Sequence, residues 1–465
     1  MDAGILHEAG FEPVKEADWQ RLALKALKGA SFEETLIGAS DEGIEIRPLY
    51  RRVEGAQPLA HAHARSLHAG DAWTVSQRRD DPDIARARAQ MAEDLENGAT
   101  GISLVFSGTP SAYGTGLSAS AETAFTRTAR ARAVSPFSLR LDAGVEQGEL
   151  ATTLMNALEQ AGAAAGPVHF GLDPQGLTLS GVTDNEPNLT RDFKTLAAGG
   201  LSGTILNADG RLAHNAGAGE ALELAIAAAS LAASLRTLDA AGVAPETVFS
   251  ATGFSLAADQ DQFLTTAKLR AARLIHAKLQ AACGISEPLP LHIHAETSWR
   301  MLTRLDPETN ILRNTIAAFS AGTAGADEIT VLPHTLALGL PDPLARRIAR
   351  NTQVLLITES NLAHVADPAA GAGGIEALTE ALAERAWAIF ADIEKKGGLA
   401  AASGDIRAMI EAARQERRTK PIVGTTLFPA KAERPVTVLA PLQHQTGATG
   451  LAPTLLVDLI EGAAA

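Results

Sequence analysis

From about residue 100 onward, short apolar runs alternate with helix-length stretches rich in Ala and Leu, and this rhythm constrains the fold more than any other feature. The runs are Ile102–Phe106, Phe137–Leu141, Val168–Leu172, Gly203–Asn207, Thr247–Ser250, Leu289–His294, Ile329–Leu332 and a weak one at Val365–Asp367. Short apolar runs bounded by turn signals suit buried parallel strands, and helix-length separations suit βα crossovers. Eight such units predict an α/β fold of TIM type, a (β/α)8 barrel. Periodicity alone does not close a barrel, so a doubly wound open sheet is the runner-up.

The barrel is expected over residues 96–425, after an N-terminal arm and lead-in over 1–95 and before a short C-terminal tail over 426–465. In the arm, Asp18–Gly29 carries helix signals: Asp18 as a cap, Leu24 and Leu27 on one face, Gly29 at the end. Ile44-Glu45-Ile46 alternates like a strand with one buried face. Pro341-Asp342-Pro343 predicts a capped helix start. Gly217–Leu238 has Glu220, Glu223 and Arg236 as its only charges, so it reads either as a core helix or as a helix packed on another subunit.

Composition narrows the function. Hydrophobic residues make up 46% of the chain, enough for a large core, and the net charge of −14 argues against a nucleic-acid protein. A single cysteine, Cys283, excludes a disulfide framework and any multi-thiolate metal site. With no long apolar run and no basic, apolar start, the expected compartment is the cytoplasm.

Few residues stand out for chemistry. His292 and His294 share one face of a strand, with Glu296 beside them, where a His-x-His pair can bind a divalent metal. His61-Ala62-His63, with His68, is a second such pair. A metal-dependent barrel hydrolase would need them, or one pair and a distant carboxylate, to converge; otherwise His292 and His294 are interior residues with ordinary hydrogen bonds. Gly108–Gly116 lacks a phosphate-binding lysine and dinucleotide spacing, and reads as a flexible loop. Asp80-Asp81 and Asp259 with Asp261 read as solvated loop charges.

Several segments together are more specific. Leu344–Gln353 running on to Glu359 and Asp367-Pro368, His294-Ala295-Glu296-Thr297-Ser298 with Asp306-Pro307, the helix Ala267–Leu274, the arm pieces Leu27-Lys28-Gly29 and Pro48-Leu49-Tyr50, and Trp73-Thr74-Val75 resemble the adenosylcobalamin-dependent acyl-CoA mutases, methylmalonyl-CoA mutase above all. The resemblance runs from about Trp19 to Val423 and implies a substrate-binding (β/α)8 barrel, in agreement with the strand count.

The departures from that family are concentrated where its chemistry lies. Arg211 and Leu212 stand where the resemblance implies a Tyr-His pair, whose histidine hydrogen-bonds the thioester carbonyl. Leucine has no donor to offer. Ser76 stands for an arginine that binds the substrate carboxylate, Arg78 for a tyrosine near the corrin, and Glu296 for a glutamine. A carboxylate facing an anionic substrate repels it unless protonated or paired. The stretch Gln57–Asp71 is shorter than the family's CoA-contacting segment. None of the histidines has Asp two residues before it, as the cobalamin-domain signature requires, and the chain ends where that domain's linker is expected.

The resemblance therefore implies a small, non-catalytic subunit of a heteromeric methylmalonyl-CoA mutase of propionate metabolism. No cofactor and no metal are expected in this chain. Adenosylcobalamin is expected in a large catalytic subunit, its heterodimer partner, which interconverts (R)-methylmalonyl-CoA and succinyl-CoA. His294 and Glu296 are residual substrate-contact candidates. An acyl-CoA mutase barrel of other specificity, using cobalamin from a separate chain, and the metal-dependent hydrolase are the alternatives.

Overall fold

The computed structural model describes residues 14–50, 71–118, 121–163, 165–181, 188–432, 434–442 and 450–461. Eight parallel strands form its centre: β1 Thr74–Arg79, β2 Gly101–Val105, β3 Ser138–Asp142, β4 Val168–His169, β5 Leu206–Asp209, β6 Thr252–Ala258, β7 His292–Thr297 and β8 Glu328–Thr330. Their order, β4-β3-β2-β1-β8-β7-β6-β5, leaves β4 and β5 at the two ends of the sheet. These ends meet: Leu172 and Leu206 form a parallel bridge, Phe170 N–H donates to Thr204 O at 2.8 Å, and Asn207 N–H donates to Leu172 O at 2.9 Å. The sheet is thus a closed barrel rather than the doubly wound alternative, and no strand edge is left unpaired at the seam.

Helices follow the strands and begin on short polar caps. Asp83, Asp173, Asn188, Asp261 and Asp342 each accept from a backbone N–H in the first turn of the next helix. Such caps satisfy N–H groups that the helix itself leaves unpaired. Asp342, followed by Pro343, starts the helix Pro343–Thr358 as the sequence implies. Asp18 does not cap: the arm helix is Glu16–Ala26, with Lys15 at the cap position and Asp18 in the first turn, paired with Arg21 at 3.0 Å.

Three strand assignments change. The first barrel strand is Thr74–Arg79, within the residues read as arm and lead-in. Val365–Asp367 is no strand; it follows the short turn Leu362–His364. Thr247–Ser250 belongs to the helix Pro245–Ser250, which Pro245 opens, and the strand comes next at Thr252–Ala258.

The alanine-rich stretch is a core helix, Glu220–Ala240, with Leu224, Ile226 and Leu231 at 1% exposure or less. It lies over β5 and is covered in turn by the helices Gln262–Ala282 and Gly373–Lys395. That double burial, worth about 1.5–3 kcal/mol for each large apolar side chain, explains its missing polar face and removes the reading in which another subunit covers it. By length and composition alone it is apolar enough to cross a membrane; here it is mostly buried inside the chain.

A second apolar cluster sits over the C-terminal mouth of the barrel. Tyr113, Trp299, Leu302, Leu332 and Leu336 pack there with Leu455 and Val457 from the tail. Backbone bonds hold the tail down: Thr454 N–H to Asn215 O and Leu456 N–H to Arg300 O, both 2.8 Å.

Candidate functional site

Alternate residues of each strand point into the barrel, and here they fill it with charge and hydrogen bonds. At the start of the strands, Arg140 donates from Nε and Nη2 to Glu328 Oε2 at 3.1 and 3.0 Å. His169 and His292 stack beside them, centroids 4.1 Å apart and planes 17° from parallel. One step along, Thr330 Oγ1 lies 2.9 Å from His294 Nε2, and Ser255 Oγ lies 3.2 Å from His294 Nδ1 and donates to Asn207 Oδ1 at 2.9 Å. His294 is fully buried and both its ring nitrogens have partners; Ser76, also fully buried, has none for its hydroxyl.

At the strand ends, where barrel chemistry is normally built, three of the residues that stand where the resemblance implies other side chains meet. Glu296 Oε2 is 3.0 Å from Arg78 Nη1 and 3.5 Å from Arg211 Nη1, and Glu296 Oε1 accepts from the Tyr113 hydroxyl at 2.8 Å. Each guanidinium nitrogen of Arg78 has a partner: beside Nη1 on Glu296, Nε goes to Asp80 at 3.0 Å and Nη2 to Ser111 O at 2.8 Å. Arg211 also reaches Asp142 at 3.1 Å and Asp209 at 2.5 Å. Burial disfavours the Arg78 cation, but Asp80 and Glu296 more than compensate and hold it firmly charged. Leu212 is 7% exposed beside this cluster and supplies only apolar surface.

The loop read as flexible holds the cluster shut. Tyr113 adopts a left-handed backbone, φ 53°, which a bulky residue takes up only under constraint. Its ring stacks on Trp299 at 4.7 Å, and Asn215 Nδ2 donates to its hydroxyl at 2.9 Å. Gly116 N–H donates to Asp80 O at 2.6 Å, and a Cβ on Gly116 would meet Ser107 N at 2.5 Å, so the close approach needs glycine.

Asp80, Asp81 and Asp259 are not solvated. Asp80 and Asp81 are at most 1% exposed, and Asp259 pairs with Arg300 at 3.0 Å. Behind the mouth, His214 Nδ1 lies 2.9 Å from Glu223, which Lys268 approaches to 2.6 Å. Burial would raise the Glu223 carboxyl, but Lys268 and then His214 hold it down to about 2.

Two groups bring metal-type ligand atoms together: His169 with His292 and Glu328, and His214 with Glu220 and Asp259. Neither is a good chelate. Stacked imidazoles direct their in-plane lone pairs side by side rather than to one point, and Arg140 occupies Glu328. Arg300 bridges Glu220 and Asp259 in the second group. Among the described residues, the candidate pair His292 and His294 does not occur together in either group. His61, His63 and His68, and Gln57 to Gly70, lie outside the described residues. Sequence reading missed Tyr113, Asp142, Asp209 and Asn215; the only available signal was one aromatic in a glycine-rich loop.

A closed (β/α)8 barrel, filled by paired charges and roofed by its own loop and tail, is the class defined by this fold and site. The methylmalonyl-CoA mutase family model matches residues 204–448. The chain is similar to the methylmalonyl-CoA mutase small subunit of Streptomyces virginiae, 36% identical over 462 residues, covering 94% of this chain and 74% of that one. It is similar to the small subunit of Propionibacterium freudenreichii subsp. shermanii, 33% identical, covering 90% and 69%. A methylmalonyl-CoA mutase of Cereibacter sphaeroides is 26% identical, covering 90% and 65%. The chain belongs to the methylmalonyl-CoA mutase family.

Proposed function

We propose that this chain is the small, non-catalytic subunit of a cytoplasmic heteromeric methylmalonyl-CoA mutase, paired with a large subunit that binds adenosylcobalamin and interconverts (R)-methylmalonyl-CoA and succinyl-CoA. The observation that carries this reading is the saturation of Glu296 by Arg78, Arg211 and Tyr113. An acyl-CoA threaded along the barrel would have to displace these buried ion pairs, and leaving either partner uncompensated costs roughly 3–5 kcal/mol. The residues present do not fit adenosylcobalamin either. Arg78, standing for the corrin-side tyrosine, is 3% exposed with all its donor nitrogens engaged inside the chain.

The arm is the part best suited to a partner. Its helix Glu16–Ala26 buries no residue in this chain, while Leu22 and Leu24 are 60% and 47% exposed. The test uses the purified chain alone and after co-expression with the large subunit. Expected are no adenosylcobalamin-dependent turnover of methylmalonyl-CoA by the single chain, and co-elution with the large subunit on size exclusion. Turnover by the single chain, or a chain that stays monomeric beside its partner, would overturn the reading.

A further inference from the structure

Beside the Arg211 cluster, the ends of β3, β4 and β5 border a small cleft of about 50 Å3, partly open to solvent. Its carboxylates are unevenly compensated. Asp142 and Asp209 both accept from Arg211. Asp173, 8% exposed, accepts at Oδ1 from Gly176 N–H at 3.1 Å and from the Ser230 hydroxyl at 3.0 Å, and its carboxylate also faces the Asp209 backbone N–H. Among the described residues, no Lys, Arg or His pairs with it.

Next to Asp173 lies a polar group with the opposite need. Gln147 lines the same cleft and is 3% exposed. Its Oε1 accepts from the Asp173 backbone N–H at 2.7 Å. This fixes the amide orientation, because a flip would set two donors against each other. Gln147 Nε2 is then a buried donor without an acceptor, which a ligand acceptor would satisfy.

We propose that this cleft binds a small primary amine that also carries a hydrogen-bond acceptor, of the amino-acid or amino-alcohol class, with its ammonium on Asp173 and its acceptor on Gln147 Nε2. The cleft is a concave site with a few convergent polar groups, at the end of a barrel where ligands collect. Its acidic lining selects against a polyphosphate such as coenzyme A and in favour of a cation. Burial first, and Asp209 second, push the Asp173 carboxyl up to about 7, and an ammonium beside it reverses that cost. The inference is independent of the subunit assignment.

The test is calorimetry and thermal melting of the full chain with glycine and ethanolamine, using acetate and ethylene glycol as controls. Saturable binding of an amine, with a raised melting temperature, is expected, and Asp173→Asn should weaken it at least tenfold while retaining the capping oxygen. Gln147→Glu keeps the acceptor for Asp173 N–H. It should abolish glycine binding, whose carboxylate then meets a carboxylate, and spare ethanolamine, whose hydroxyl can donate. No binding of either amine, equal binding by Asp173→Asn, or acetate binding as tightly as glycine would each overturn the proposal. Should Asp173→Asn fail to fold, the split between glycine and ethanolamine in Gln147→Glu decides it.

Discussion

Arg78 and Glu296, 218 positions apart in sequence, meet inside the barrel with Nη1 3.0 Å from Oε2. These are two of the positions at which the resemblance implies a tyrosine and a glutamine instead. Either change alone would bury a charge with one partner fewer; together they form a pair that Arg211 and Tyr113 extend. Arg78 keeps Asp80, and Arg211 keeps Asp142 and Asp209, so Glu296→Gln should destabilise the chain by less than the roughly 3–5 kcal/mol of a fully stranded buried charge, read as a lower urea midpoint. Arg78→Tyr with Glu296→Gln should cost less than the sum of the single changes, because both remove the same ion pair. Additivity of the two in urea titrations would contradict this.

Arg211 is tied to Asp142, Asp209 and Glu296 at once. Replacing Arg211→Tyr and Leu212→His would install the pair the resemblance implies, but it takes the guanidinium away from Asp142 and Asp209 and leaves Glu296 with Arg78 and Tyr113 alone. The double variant is expected to lose stability and gain no turnover of methylmalonyl-CoA with adenosylcobalamin. A rate above the no-protein blank would show that the mouth is closer to competence than its charges indicate.

The barrel was legible where strands are apolar and illegible where they are not. Ile102–Phe106, Phe137–Leu141 and Val168–Leu172 announce themselves because their faces meet helices and a core. Thr74–Arg79 does not: Ser76, Arg78 and Arg79 are each at most 3% exposed, but their polarity reads as surface in a single sequence. What makes that strand possible is charge supplied from far along the chain, by Glu296 and by Arg346, whose Nη2 donates to Arg78 O at 2.6 Å. Val365 misled for the reverse reason, being an apolar residue left 55% exposed. At the site, the resemblance singled out Arg78, Arg211 and Glu296, which the fold brings together. Their mutual neutralisation is a property of three-dimensional contact that periodicity cannot encode.

The arm helix Glu16–Ala26 packs no residue into the core, and its main aromatic contact, Trp19 on Phe32 at 5.9 Å, lies within the arm. Deleting residues 1–29 should leave the urea midpoint of the isolated chain nearly unchanged, within about 0.5 kcal/mol. The same deletion should weaken co-elution with the large subunit. Unchanged association would move the partner contact elsewhere.

Glu42 supplies a pH-dependent contact between the arm and the core helix. Its carboxylate accepts from Ala221 N–H at 2.7 Å and Leu222 N–H at 2.9 Å, at the start of the helix Glu220–Ala240. Gly219 permits this approach, since a Cβ there would meet Glu42 Cγ at 2.5 Å. Burial first and Glu220 second raise the Glu42 carboxyl from its ordinary 4.5 to about 7, against the pull of the two N–H groups and Arg417. The folded chain thus holds this proton more tightly than the unfolded one between pH 4.5 and about 7. Its contribution is fully present below pH 4.5 and is lost as pH rises through about 7. Glu42→Gln keeps one acceptor and removes the titration. The melting temperature of this variant relative to the parent should be higher at pH 8 than at pH 5, and an equal difference at both values would refute the linkage.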